Sequence, residues 1–177
     1  MKAINNILQS LQLYGFRTLK RYREKIRPVH IIEAVRSAQS ILFVLPADPA
    51  LKAVAQRVID DFTGRHPMQR VKLIGRASGT VSDAVLTFSD DDVTFYGKPK
   101  RQFLERFAAA KFDLAVDLSI PYDFTSLAII LQVDAGLRVG FYDPVREDFY
   151  NFLFRRNANT LPDQSYRELF HYLEALM

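Results

Sequence analysis

The chain has 177 residues, 49% of them hydrophobic and 25% charged, with 14 Phe, 8 Tyr and no Trp. That is the size and composition of one globular domain with a substantial core, and it excludes a disordered or fibrous protein. Without cysteine there can be neither disulfides nor thiolate metal sites, and no apolar run reaches the roughly 18 residues that span a bilayer.

The charge is unevenly placed. Residues 1–27 carry Lys2, Arg17, Lys20, Arg21, Arg23, Lys25 and Arg27 against the single acid Glu24, yet the whole chain is only +4. Ile4, Ile7, Leu8, Leu11 and Tyr14 fall at helical spacing, and after Gly15 the pattern resumes with Phe16, Leu19, Tyr22 and Ile26 until Pro28. The spacing predicts a basic amphipathic arm, one broken helix or two short ones, followed by a short helix over 30–37. Asn5, Asn6, Gln9, Ser10 and Gln12 interrupt the apolar residues, so no signal-peptide pattern is present and a cytoplasmic location is expected.

"SILFVLP" (40–46) is a compact apolar run ended by Pro46, the pattern of a strand buried on both faces. A helix follows from Pro49, with Asp48 as cap, Leu51, Val54, Ala55, Val58, Ile59 and Phe62 on one stripe, and Gly64 as stop. "RVKLIG" (70–75) is the next strand. "AVLTFS" and "VTFYG" read as two strands joined by the acidic turn Ser89-Asp90-Asp91-Asp92, after which Pro99 opens a helix with Phe103, Leu104 and Phe107. "FDLAVDL" (112–118) is a strand, "FTSLAIILQ" a buried helix introduced by Pro121 and Asp123, and "LRVGF" (137–141) a final strand. A tail helix capped by Asp163 places Tyr166, Leu169, Phe170 and Leu173 on one face.

Strands alternating with helices predict a three-layer, Rossmann-like, doubly wound α/β domain over 38–177, with residues 1–37 as the helical arm. Right-handed crossovers favour a mostly parallel sheet of order near 3-2-1-4-5.

"FDLAVDL", a buried helix and "AGLRVGF" together resemble the last strand-helix-strand unit of the N-terminal domain in glycosyltransferase family 9, the heptosyltransferases of lipopolysaccharide synthesis. "ILFVLP" with its helix and then "VKLIG" keep that family's order of first strand, helix and second strand. "VTFYGKPKRQFLERFAAAKFDLAVDLS" is also similar to small single-domain bacterial proteins of unknown function related to that fold. The resemblance covers about residues 40–143. It implies half of a two-domain GT-B architecture. It departs from the enzymes after the first strand, where "PADPALKAVAQ" replaces a loop of the form "GD…".

In open parallel sheets, ligands bind beyond the carboxyl ends of the strands where the winding reverses. The predicted crevice lies between the strands ending at Leu45 and Leu118, surrounded by Pro46, Asp48, Ser119, Tyr122 and Asp123, with Tyr142 and Asp143 one strand over. Asp48 and Asp123 are the candidate general bases. Both also stand where helix N-caps belong, and capping ranks ahead of catalysis. "GRASGT" (75–80) lacks the P-loop lysine and reads as a surface loop. His30, His66 and His171 are isolated, so neither a metal nor a cofactor is expected.

The reading that follows is a glycosyltransferase-like, non-catalytic binding or scaffolding module. Two rivals stay open. One is a glycosyltransferase of envelope saccharide synthesis, completed by a partner protein or a homodimer and taking a nucleotide or nucleotide sugar. The other is a tether in which Arg17, Lys20, Arg21, Arg23, Lys25 and Arg27 meet an anionic membrane surface at its inner face or, ranked last, nucleic acid. Packing of the arm on its own domain or on a second copy ranks ahead of both contacts.

Overall fold

The computed structural model describes residues 28–77, 85–107, 109–157 and 159–177. In chain order the elements are α1 (Ile31–Arg36), β1 (Ser40–Val44), α2 (Pro49–Arg65), β2 (Arg70–Arg76), β3 (Val85–Phe88), α3 (Arg101–Glu105), β4 (Lys111–Asp117), α4 (Phe124–Gln132), β5 (Asp134–Phe141), β6 (Phe152–Phe154) and α5 (Pro162–Leu176). Short 3-10 turns cover Asp90–Asp92 and Pro144–Arg146.

The six strands form one sheet in the order β3-β2-β1-β4-β5-β6, and every pair is parallel. The expected doubly wound order is therefore present, extended by one strand. β1 is innermost and buried at all five residues, because helices cover both faces of a parallel sheet.

Alternation along β1 builds two cores. Ile41, Phe43 and Leu45 share one layer with Ala55, Val58, Ile59 and Phe62 of α2 and Tyr166, Leu169, Phe170 and Leu173 of α5. Leu42 and Val44 share the other with Phe103 of α3 and Leu127, Ala128, Ile130 and Leu131 of α4. The near-uniform apolarity of α4 follows from its position, since Phe124 to Leu131 are all buried.

The amino ends of β1 and β4 are tied together by Asp113, which accepts from the N–H groups of Gln39 and Ser40 and from Ser40 Oγ, each at 2.9 Å. α1 packs on α5, β4 and β5.

Two local expectations need correction, and one strand went unread. "VTFYG" is no strand: a tight turn, with Gly97 N–H donating to Thr94 O, is closed by a single antiparallel bridge between Val93 and Pro99. Gly97 takes φ +87, and a Cβ there would stand 2.8 Å from Thr125 Oγ1, so the turn is held against the start of α4. Asp163 is not the cap of the tail helix; Leu161 holds that position without a side-chain bond, and Pro162 opens the first turn. β6 was not anticipated, because three residues, Phe-Leu-Phe, are too short for a pattern of period 2 to register.

Candidate functional site

The winding reverses between β1 and β4, so their carboxyl ends define the crevice where a ligand of such a sheet would bind. Pro46 is buried, Asp48 is exposed, and Tyr122, Asp123, Tyr142 and Asp143 are half-buried around it. Ser119 is 2% exposed.

The three candidate carboxylates all cap the element that follows them. Asp48 Oδ1 accepts from the N–H groups of Ala50 and Leu51 at 2.8 and 3.0 Å. Asp123 Oδ2 accepts from the N–H of Ser126 at 2.7 Å and from its hydroxyl at 2.8 Å. Asp143 Oδ1 accepts from Val145 N–H at 2.9 Å and opens the 3-10 turn. The positive ends of α2 and α4 flank the crevice, yet a side chain of the same sign as a phosphate already engages their first-turn amides. Tyr142 points its hydroxyl at Glu147, 2.8 Å away, and Arg155 lies over its ring at 4.1 Å.

Below this rim lies a cluster that the pattern reading passed over. Asp117, the last residue of β4, is fully buried, and Arg146 is 1% exposed. Asp117 Oδ1 accepts from the Ser119 N–H at 3.0 Å and from its hydroxyl at 2.6 Å. Its Oδ2 accepts from the Tyr150 hydroxyl at 2.6 Å and stands 3.3 Å from Arg146 Nη2. The guanidinium reaches across the strand ends, with Nη1 donating to Phe141 O at 3.0 Å and Nη2 to Ser119 O and Oγ at 3.1 and 2.6 Å. Tyr166 of α5 donates to Leu118 O at 3.0 Å from the opposite layer. Arg146 Nε has no hydrogen-bond acceptor among the described residues, but the rings of Tyr122 and Tyr150 flank the guanidinium at 5.7 and 5.8 Å, within cation–π range.

The electrostatics follow from burial. Desolvation, then the Asp117 charge, pushes the Tyr150 hydroxyl well above its ordinary pKa. Burial raises Tyr122 and Tyr166 in the same direction. Burial, the largest single influence, works to lower Arg146, but Asp117, Tyr150, Asp143 and Tyr122 together outweigh it and raise the guanidinium pKa. The three tyrosines and Arg146 are thus all displaced upward, away from neutrality. The arrangement closes the floor of the crevice with a buried ion pair, and the sequence held one signal of it: an aspartate ending the apolar run Leu114–Val116 of β4.

The remaining motifs take structural places. Asp92 and Ser89 form a capping box, and Asp90 pairs with Arg76. His66 packs at a tilt against Phe62 and sits 3.5 Å from Glu174. Among the described residues no three His, Cys, Asp or Glu side chains group as metal ligands, and no helix is long and apolar enough to cross a membrane. Of "GRASGT", residues 78–80 lie outside the described residues, as do Arg17, Lys20, Arg21, Arg23, Lys25 and Arg27.

The model of a family of unknown function (DUF6913) matches residues 18–176. The chain belongs to that family. No curated protein matches the sequence. Among solved structures, the DUF6913 chain is similar in fold to the E. coli heptosyltransferase WaaC with ADP, at 16% identity and a TM-score of 0.59, over 75% of this chain and 46% of that one. The same enzyme with ADP-2-deoxy-2-fluoro heptose gives 15% identity and 0.59, over 77% and 48%. The DUF6913 chain thus spans about half the length of these structures. A glycosyltransferase-like fold is shown. The family is DUF6913, and the kinship with glycosyltransferase family 9 extends to fold alone.

Proposed function

We propose that this domain is a glycosyltransferase-like fold working as a non-catalytic binding or scaffolding module. The observation that carries the reading is the buried Asp117–Arg146 pair, in which both carboxylate oxygens and both terminal guanidinium nitrogens are engaged within the protein. Groups committed in this way cannot also receive a substrate without breaking bonds that cost several kcal/mol to lose. The capping roles of Asp48 and Asp123 support the same view, since each carboxylate already accepts two hydrogen bonds.

The test is titration of the purified chain with ADP and ADP-heptose, followed by an assay on nucleotide sugars with lipid or saccharide acceptors. No turnover is expected. Turnover by the chain alone overturns the proposal.

A second reading is favoured by the fold shared with a heptosyltransferase seen with ADP: a glycosyltransferase whose cleft a partner or second copy completes. It expects saturable nucleotide-sugar binding that disappears with Asp48→Ala or on dissociating the assembly.

A further inference from the structure

The sheet holds a second buried arginine, and it lacks what Arg146 has. Arg138 of β5 is 6% exposed. Its Nε donates to Ile130 O at 3.2 Å and its Nη2 to Val133 O at 3.0 Å, so the guanidinium closes the last turn of α4. Nη1 makes no hydrogen bond, and the side chain forms no ion pair, among the described residues. Burial lowers the Arg138 pKa, and the Asp134 charge only partly offsets it. Where Arg146 has Asp117 within 3.3 Å, Arg138 keeps a buried charge and donors to spare.

Those donors line a cavity of about 850 Å³ at the amino ends of β4 and β5, the edge of the sheet away from the crevice. Lys111, Gln132 and Asp134 line it too. Lys111 and Asp134 are partners in the β4–β5 register, and both are exposed. Two cations thus face the cavity against one carboxylate. A buried cation without an internal counterion calls for an anion from outside the chain.

We propose that this cavity binds a small molecule through one oxyanion group, a carboxylate or a phosphate, held by the Arg138 fork with Lys111 beside it. The Nη1–Nη2 edge offers two parallel N–H groups, which match two oxygens of either anion. The α4 carbonyls already hold the guanidinium in place, so little side-chain entropy is lost on binding. The cavity lies within the roughly 300–1,000 Å³ of small-molecule sites, so the oxyanion is one end of a larger ligand.

The test is titration of the full chain with inorganic phosphate and with succinate, at an ionic strength held constant with chloride, followed by the amide shifts of residues 134–138. Saturable shifts are expected with at least one probe, and the probe that binds more tightly assigns the anion. Lys111→Ala is expected to weaken binding about threefold and Asp134→Asn to tighten it about threefold, the range of solvated charge pairs. Arg138→Lys keeps the charge but loses the fork, and is expected to weaken binding more than about tenfold. If Arg138→Lys does not fold, the Lys111 and Asp134 variants still decide, since neither side chain bonds to the α4 carbonyls. The absence of saturable shifts with both probes overturns the proposal. So do affinities unchanged in both the Lys111 and Asp134 variants, or shifts that chloride alone reproduces, which are screening and not a site.

Discussion

Arg146 Nη2 stands 3.3 Å from the Asp117 carboxylate in a site closed to solvent, and the two residues join the carboxyl end of β4 to the turn that follows β5. Removing either partner leaves a buried charge without its counterion, which costs about 3–5 kcal/mol. Arg146→Ala and Asp117→Ala are each expected to lower unfolding stability by that amount in urea, and the double variant by clearly less than the sum. A cost below about 1 kcal/mol for Arg146→Ala, the range of a solvated pair, would remove the structural role argued for this contact.

Gly140 makes room for the ring that completes this cluster. A Cβ at that position would stand 2.9 Å from Tyr150 Cε1. Gly140→Ala is therefore expected to displace the Tyr150 hydroxyl from Asp117 and to cost about 1–3 kcal/mol, as overpacking does. Thermal unfolding of Gly140→Ala alone and with Tyr150→Phe checks the link, since the two losses should overlap and not add.

The pH dependence centres on Asp113. Burial pushes its carboxyl upward, but the Gln39 and Ser40 donors outweigh that and hold it below the usual carboxylate range. A depressed folded pKa contributes stability above the unfolded value of about 3.9, and that contribution is lost as pH falls through the folded value. Asp113→Asn should cost about 1 kcal/mol at pH 7, at the low end for charged hydrogen bonds because the group is exposed. The gap between the two proteins should narrow below about pH 4 and close in stronger acid. A gap that widens in acid would contradict the assignment.

Asp48→Ala and Asp123→Ala separate capping from catalysis. Each is expected to lower stability by about 0.5–2 kcal/mol, the cost of an N-cap carboxylate. Asn at either position should recover most of the loss, because an amide oxygen also accepts from the first-turn amides. Full stability together with lost nucleotide-sugar binding would instead place the carboxylates in a ligand site.

Much of this protein was legible in its pattern. The unbroken apolar run 41–45 announces a strand covered on both faces, and α4 reads as buried because no polar stripe interrupts it. Pro49 after Asp48, and Asp123 before Phe124, mark helix starts that the structure places at those residues. These features rest on local chemistry, on periodicity, caps and fixed φ, which a sequence carries residue by residue.

The floor of the crevice was a different matter. Asp117 and Arg146 lie 29 positions apart, and nothing at either position announces the other. Their pairing exists because β4 and β5 run parallel and in register, Asp117 beside Gly140, which brings the turn after β5 back over the end of β4. Composition and spacing thus determine a doubly wound α/β domain and the starts of α2 and α4. Whether the carboxyl edge stays open or is closed by an internal ion pair depends on contacts between distant segments, where low dielectric and excluded water decide which charges can be kept.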